Sequence, residues 1–448
     1  MIRVRLEPQM HMPFSEDQTV RLLGAIETDS LIFLCGAGLS IPSPSNLLSA
    51  AEISQRCYDR WVATEPLDQA LRNDIDQLAS HFLARNDFKI FLGLIPWNDL
   101  VGAPNKGHAA IADLLITRGA RAALSANIDC LIESWAQGRK VDMRGALTGQ
   151  DASTFNTTNP LVKFHGCLRL DQENTVWTYG QLAQSPIRER VLTCSSWMNL
   201  NLPDKHLVVV GFWTDWIYLN NVLANAFTIN NARCVTIIDP SPANDLQAKA
   251  PSLWAKLTSL SNRFEHVQAS GADALDDLRT AFSRAWTRKF YALGSPLIEA
   301  TGGVVPPAAT PDALPGEDLY NLRCDAEGVP YSRAATWKAP AQHAAQAAHI
   351  HLILLNAGAT KQGAWLQYGG QSIRIVNGAG RGLAQVREEY KEPATIPQSD
   401  IVVCAGAEDL GVPARLISSG RGASMIRPSS GGGARWLTLE QARVELTV

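Results

Sequence analysis

Several absences narrow the chain before any motif is read. No apolar run among the 448 residues is long enough to span a bilayer, and the N-terminus MIRVRLEPQMHMPFSEDQ carries charges where a signal peptide needs an apolar centre. The expectation is a cytoplasmic protein. Charged residues make up only 19% and the formal net charge is −3, so nothing in the balance draws the chain to nucleic acid or to an anionic membrane. The eight cysteines (35, 57, 130, 167, 194, 234, 324 and 404) never form a C-x-x-C pair, which argues against a zinc ribbon and against a disulfide framework. Reduced, mostly buried thiols are expected. No repeat of fixed period is present, and no stretch is biased enough to be read as disordered apart from a Pro/Gly/Ala-rich linker and Ser429–Gly433.

What is present is organised around Leu31–Ser49, LIFLCGAGLSIPSPSNLLS. A short apolar run, Leu31–Cys35, breaks at Gly36-Ala37-Gly38, passes Ser40, Pro42 and Pro44, and enters a helical pattern. A strand-to-helix turn of this kind brings backbone N–H groups against a pyrophosphate, with Gly36, Ala37, Gly38 and Ser40 as its contacts. The third glycine of the usual dinucleotide fingerprint is missing, so for this segment alone a buried strand with a permissive turn is the better account.

The other segments follow in order. DQTVRLLGAIET (17–28) has the periodicity of an amphipathic helix, and Leu47–Leu94 reads as a helical insertion at about 50–100. APNKGHAAIADLLITRG is a loop feeding a helix, RAALSA a strand before the turn Asn127-Ile128-Asp129, and PLVKFHG a strand ending at His165-Gly166. HLVVVGF ends at Gly211-Phe212 and RCVTIIDP at Asp239-Pro240. In a parallel sheet the carboxyl ends of such strands share one edge, where ligands bind. LDDLRTAFSRAWTRKFYAL closes this part as a helix, a linker is expected at 294–318, and residues 319–448 read as a smaller α/β domain. In it HIHLILLNAG, QSIRIVNGAG and DIVVCAGAEDLG are expected as strands and TLEQARVELTV as a helix.

Taken together, GAGLS (36–40), PNKGH (104–108), SANID (125–129) and FHG (164–166) resemble, in order and spacing, the catalytic core of the sirtuin family. The match covers roughly residues 17–290. It implies an α/β fold with a Rossmann-like parallel sheet and a helical insertion in a domain of residues 1–293, and NAD as substrate. By the resemblance Asn127 holds a water or a ribose hydroxyl, Asp129 accepts from the nicotinamide carboxamide, and His165 serves as general base. Gly211, Phe212 and Asp239 fall on the adenosine side. Departures from the family direct the functional expectation. Ile41–Leu48, IPSPSNLL, lacks the Phe and Arg that follow the turn in protein deacylases, and only Cys167 and Cys194 stand where their two C-x-x-C pairs would be, so no zinc is expected. Gly211-Phe212-Trp213, followed by Thr214-Asp215-Trp216, replaces Gly-Thr-Ser. The pattern is similar to bacterial antiphage effectors that hydrolyse NAD to ADP-ribose and nicotinamide. That similarity implies activation by a nucleotide signal, by self-assembly into a homo-oligomer, or by a partner protein of ATPase, Argonaute or nucleotide-processing type. The alternatives are an NAD-dependent deacylase or ADP-ribosyltransferase, and a silent NAD-sensing or ADP-ribose-sensing subunit.

Each residue also has a plain structural reading. A His-Gly at a strand end suits a packed histidine, and Asn127 and Asp129 suit a turn capping a helix. Asp239 suits a turn before proline. His108 is expected to cap or pack its helix, and Trp213 and Trp216 to fill core. The glycine turns at Asn356–Gly358, Gly378–Gly382 and Ala405-Gly406 suit phosphate binding or tight turns alike.

Overall fold

The computed structural model describes residues 13–139, 141–154, 158–213, 232–306, 309, 316–324, 339–341, 344–362, 365–389, 400–408 and 434–448. Thr214, Asp215, Trp216 and Ser429–Gly433 lie outside them. The chain divides into two compact units, Met1–Arg279 and Thr280–Val448.

The first unit is built on a seven-stranded, wholly parallel sheet. Its strands are β1 (Leu31–Cys35), β2 (Ala120–Ser125), β3 (Gly145–Ala146), β4 (Leu161–Lys163), β5 (His206–Val210), β6 (Cys234–Asp239) and β7 (Phe264–Gln268), in the spatial order β3-β4-β2-β1-β5-β6-β7. β1 and β5 are buried at every position because helices cover both faces, which is why they read as unbroken apolar runs. Chain order reverses around β1: β2 lies on one side and β5 on the other. This is the switch point at which doubly wound sheets open a crevice.

Register fixes what stands at that crevice. Cys35 is level with Ser125 and with Val210, and Ser125 is level with Lys163. The residues just beyond these strands, Gly36, Asn127, His165 and Gly211, therefore emerge on one edge, although up to 175 positions separate them in the chain.

The helical insertion contains α2 (Ala50–Trp61), α3 (Ile75–Ala84) and α4 (Phe88–Leu94), after the N-terminal α1 (Glu16–Glu27). Ser49 and Glu52 form a reciprocal cap on α2, and Asp74 caps α3. Its helices share a small core of Ile53, Cys57, Leu78, Phe82, Phe91 and Trp177. Next come α5 (Lys106–Ile116) and α6 (Leu131–Gly138); α5 is buried from Gly107 onward, as a helix pressed into the centre of a domain must be.

The second unit has a five-stranded sheet, order β12-β11-β10-β9-β8, with β8 (Thr360–Gln362), β9 (Trp365–Tyr368), β10 (Gln371–Asn377), β11 (Ile401–Ala405) and β12 (Arg435–Thr438). β10, β11 and β12 are parallel, while β9 runs antiparallel to both β8 and β10. Thr438 caps the closing helix Leu439–Leu446.

Two expectations differ from this structure. HIHLILLNAG is not a strand: it forms most of the helix Ala345–Asn356 and the turn after it. Residues 347–354, His349 and His351 included, are all buried, so the run has no solvent face to give a helical period, and the preceding Ala/Gln-rich residues extend it to helical length. The expected linker also begins too early, because the helix Gly271–Glu299 continues past 294 with Pro296 inside it. Gly294 belongs to that helix for a packing reason: a Cβ there would lie 2.8 Å from the backbone of Ala348 and His349. Among the described residues, no helix is long and apolar enough to cross a membrane.

Candidate functional site

The turn after β1 is shaped by close approach to the turn after β5. A Cβ on Gly36 would lie 2.5 Å from the Gly211 carbonyl oxygen and 2.6 Å from Phe212 Cα, and one on Gly38 would lie 2.9 Å from Gly211 Cα. Gly211 has φ +61°, and a Cβ there would come within 2.3 Å of the Leu39 nitrogen. Both segments need glycine so that two backbones can touch. The N–H groups of the turn are engaged accordingly. Gly36 donates to the Val210 carbonyl (3.1 Å), Gly38 to Gly211 (2.9 Å), Leu39 to Gly36 (3.0 Å) and Ser40 to Ala37 (2.9 Å). Ala37, which is exposed, has an N–H without an acceptor among the described residues. The expected row of free amides at 36, 38 and 40 is thus closed by the chain's own carbonyls in this state.

Ser40 is the hub of the polar interior. It is 2% exposed, and its Oγ lies 3.1 Å from His108 Nε2, 3.2 Å from Asn127 Nδ2 and 2.9 Å from Asp129 Oδ2. The proton directions follow from chemistry. The Asn105 N–H donates to His108 Nδ1, so the proton of the neutral imidazole sits on Nε2 and points at Ser40. Ser40 accepts there and from Asn127, and donates to the Asp129 carboxylate. Burial pushes His108 down to about 4, against the pull of Asp129, which keeps the ring neutral. Ser40, expected on the diphosphate, is therefore turned inward to link three other motif residues. Asn105 ties the PNKGH segment to GAGLS a second time: its side chain caps α5 by accepting from Gly107 and His108 N–H, and its Nδ2 donates to the Leu39 carbonyl (2.8 Å).

Asn127 Nδ2 also donates to the Gly36 carbonyl (3.1 Å), and its own N–H rests on Ser125 Oγ (3.1 Å). Asp129 uses Oδ1 to accept the Leu131 N–H (3.1 Å) at the start of α6, as the capping reading expects, and Oδ2 to accept from Ser40. His165 is 8% exposed, stacked edge-on against Phe164 and hydrogen-bonded to the Ala126 backbone, next to Asn127. Burial first and the nearby Arg190 guanidinium second push it down to about 3. Arg190 is held by Asp171 (2.7 Å) and the Asn174 carbonyl (2.6 Å). Phe212 is buried core beside the turn, and Trp213 donates from Nε1 to the Leu246 carbonyl (2.7 Å). Asp239, further along the same edge, accepts the Ser241 N–H on Oδ1 (2.8 Å) in an Asx turn.

Beneath Asp129 lies a charged cluster that no sequence pattern indicated. Lys163, 1% exposed, sends its Nζ to the Asp129 carbonyl and to Glu133 Oε1 (3.0 Å). Gly145 makes room for it, since a Cβ there would lie 2.5 Å from Lys163 Cδ. Cys130 Sγ and Cys167 Sγ are 3.4 Å apart, and together with a Glu133 oxygen they lie within 4.8 Å of one another. The Lys163 ammonium, 4.0 Å from Cys130 Sγ, puts a permanent positive charge against this group.

Comparisons with known proteins add the following. No family model matches, and no curated protein does. The chain is similar to solved Sir2 structures. One, a Sir2 homolog–NAD complex, is 16% identical over 60% of this chain and 94% of that one, with a TM-score of 0.36. A second, titled for the mechanism and regulation of Sir2 enzymes, is 13% identical over 58% and 95%, with a TM-score of 0.31. A third, titled for sirtuin substrate affinity, is 14% identical over 58% and 96%, with a TM-score of 0.32. Likenesses at this level carry no argument about activity, so the functional reading rests on the chain's own residues.

The second unit has a cleft of ≈ 700 Å³ beyond the carboxyl ends of β10, β11 and β12, lined by Gln346, Gly380, Gly406, Glu408 and Glu440 among others. Its two carboxylates oppose a bare phosphate.

Proposed function

We propose that the first unit binds NAD at the rim formed by Gly36, Asn127 and His165, and hydrolyses its nicotinamide–ribose bond. The single observation that carries this reading is the Ser40 network. It joins the GAGLS, PNKGH and SANID segments directly, while the His165 ring reaches the backbone beside Asn127. Four separated motifs meeting around one crevice is what positioned catalysis at a glycosidic carbon requires.

In the reaction, a water oxygen bonds to the anomeric carbon as the carbon–nitrogen bond breaks. Nicotinamide leaves neutral, and the attacking water gives up a proton to solvent. Asn127 orients the water or a ribose hydroxyl. The Asp129 carboxylate, positioned by the Ser40 hydroxyl and the Leu131 N–H, faces the oxocarbenium-like charge that develops. His165, at about 3 before ligand arrives, is a weak base that works as a hydrogen-bond partner of the ribose. The ligand's diphosphate would draw its affinity for protons upward.

The closed turn supports a latent resting state. Gly36 and Gly38 N–H groups must leave the Val210 and Gly211 carbonyls before they can serve a diphosphate. A signal or partner that separates these two turns would switch the enzyme on, and we place control in residues 319–448, with antiphage NAD depletion as its purpose. The test is to incubate the full-length chain with NAD, with and without acetylated peptide, and to separate products chromatographically. ADP-ribose and nicotinamide formed without peptide support hydrolysis; O-acetyl-ADP-ribose formed only with peptide would replace it by deacylation.

A further inference from the structure

From the placement of Cys130 and Cys167 we infer that they are an oxidation site: a peroxide converts the two thiols into a disulfide joining the Asn127–Cys130 loop to the His165–Cys167 loop. The geometry is already close. The two sulfurs are 3.4 Å apart, so forming the bond closes a gap of about 1.3 Å, within the reach of side-chain rotation and small loop shifts. The parallel pairing of β2 with β4 sets the loops side by side, and the Leu168 N–H donation to the Ile128 carbonyl (2.8 Å) clamps them.

The surroundings prepare one sulfur as a nucleophile. Cys167 shares a hydrogen bond with the Cys130 thiol and also faces the Lys163 ammonium and the N–H groups of Arg169 and Leu170; together these outweigh burial and draw it below the ordinary thiol range. Cys130, which shares that bond and is buried, is held well above its ordinary range, so it is the sulfur that keeps the proton. Lys163 remains charged: burial works against it, but Glu133 and the neighbouring sulfurs more than offset that. One thiolate, one thiol and one fixed cation are the arrangement that two-step oxidation needs.

The chemistry balances with hydrogen peroxide as oxidant. The Cys167 thiolate attacks one peroxide oxygen; the S–O bond forms, the O–O bond breaks, and hydroxide leaves and takes a proton from solvent. Cys130 then attacks the sulfenyl sulfur, the S–S bond forms, the S–O bond breaks, and the departing hydroxide takes the Cys130 proton as water. Two electrons pass from the sulfur pair to the peroxide.

This inference stands apart from NAD turnover because its readout is a covalent bond. The full-length protein is treated with stoichiometric hydrogen peroxide, unfolded in the presence of an alkylating agent, digested and mapped by mass spectrometry. The expected result is loss of two alkylatable thiols and a Cys130–Cys167 cross-linked peptide that dithiothreitol releases. In Cys130→Ser, Cys167 is expected to stop at the sulfenic acid and be trapped by dimedone. The inference is overturned if both thiols remain alkylatable in the wild type, if the cross-link joins other cysteines, or if the purified chain carries one equivalent of zinc that protects both thiols until chelation.

Discussion

Replacing Ser40 by alanine tests the hub that ties the motif segments together. The hydroxyl satisfies three partners in the interior at 2% exposure, so its loss strands the His108 Nε2–H and one Asn127 N–H, and removes a donor from the Asp129 carboxylate. An orphaned buried neutral donor costs roughly 1–3 kcal/mol and a hydrogen bond to a charged group about 1.5–3 kcal/mol. Asn127 keeps its bond to Gly36 and Asp129 its bond to Leu131, so part of the loss is absorbed. We expect about 3 kcal/mol of destabilisation, read as a lower urea midpoint at unchanged slope. Asp129→Asn alone, and then combined with Ser40→Ala, should show coupling of about 1 kcal/mol or more, because the two changes remove one shared interaction. A Ser40→Ala variant within about 0.5 kcal/mol of wild type, or full additivity with Asp129→Asn, refutes the network as drawn.

Further outcomes follow from the same structure. Gly211→Ala, which forces a Cβ onto the Leu39 nitrogen at positive φ, should lower stability by about 3 kcal/mol or prevent folding even without any ligand; an unchanged melting temperature would contradict the packing account of these glycines. His108 is depressed in the folded chain from its ordinary 6.5 to about 4, so the unfolded chain takes up its proton first as pH falls. Stability owed to this group is whole above about pH 6.5 and declines towards pH 4, by on the order of 3 kcal/mol, and His108→Gln should flatten that part of a stability-against-pH curve. Lys163→Met strips Glu133 of its buried partner and should cost about 3–5 kcal/mol, partly recovered by adding Glu133→Gln; equal stabilities for the single and double variants would argue against the pair. His165→Ala should abolish NAD hydrolysis in any activated form of the protein while shifting the urea midpoint less than Ser40→Ala does.

Much of the first unit was legible because the physics there is local. β1, β2, β5 and β6 are buried at every position except Arg121 and Asp239, which are half-buried, so their sequences are mostly apolar runs ending in glycine or polar residues. β7 (FEHVQ) is mostly half-buried and carries charge, which hid it, and β3 is too short to leave a pattern. HIHLILLNAG misled because an all-round buried helix and a buried strand have the same composition. At the candidate site, the motifs named segments that the structure brings together, but residue type could not say which way a side chain faces. Ser40 and the glycines suit a phosphate equally well on paper, while only the approach of Gly211 shows that Gly36 and Gly38 serve backbone packing. Cys130 and Cys167, 37 positions apart, meet because β2 and β4 are neighbours, a long-range fact that cysteine spacing does not carry.

The most direct test of the central claim is a crystal structure of the full-length chain with ADP-ribose. The account predicts the diphosphate on the Gly36, Ala37 and Gly38 N–H groups, Gly36 and Gly38 released from the Val210 and Gly211 carbonyls, and the ribose between Asn127 and His165. ADP-ribose seated elsewhere, with the Gly36 and Gly38 N–H groups still bound to Val210 and Gly211, would contradict it.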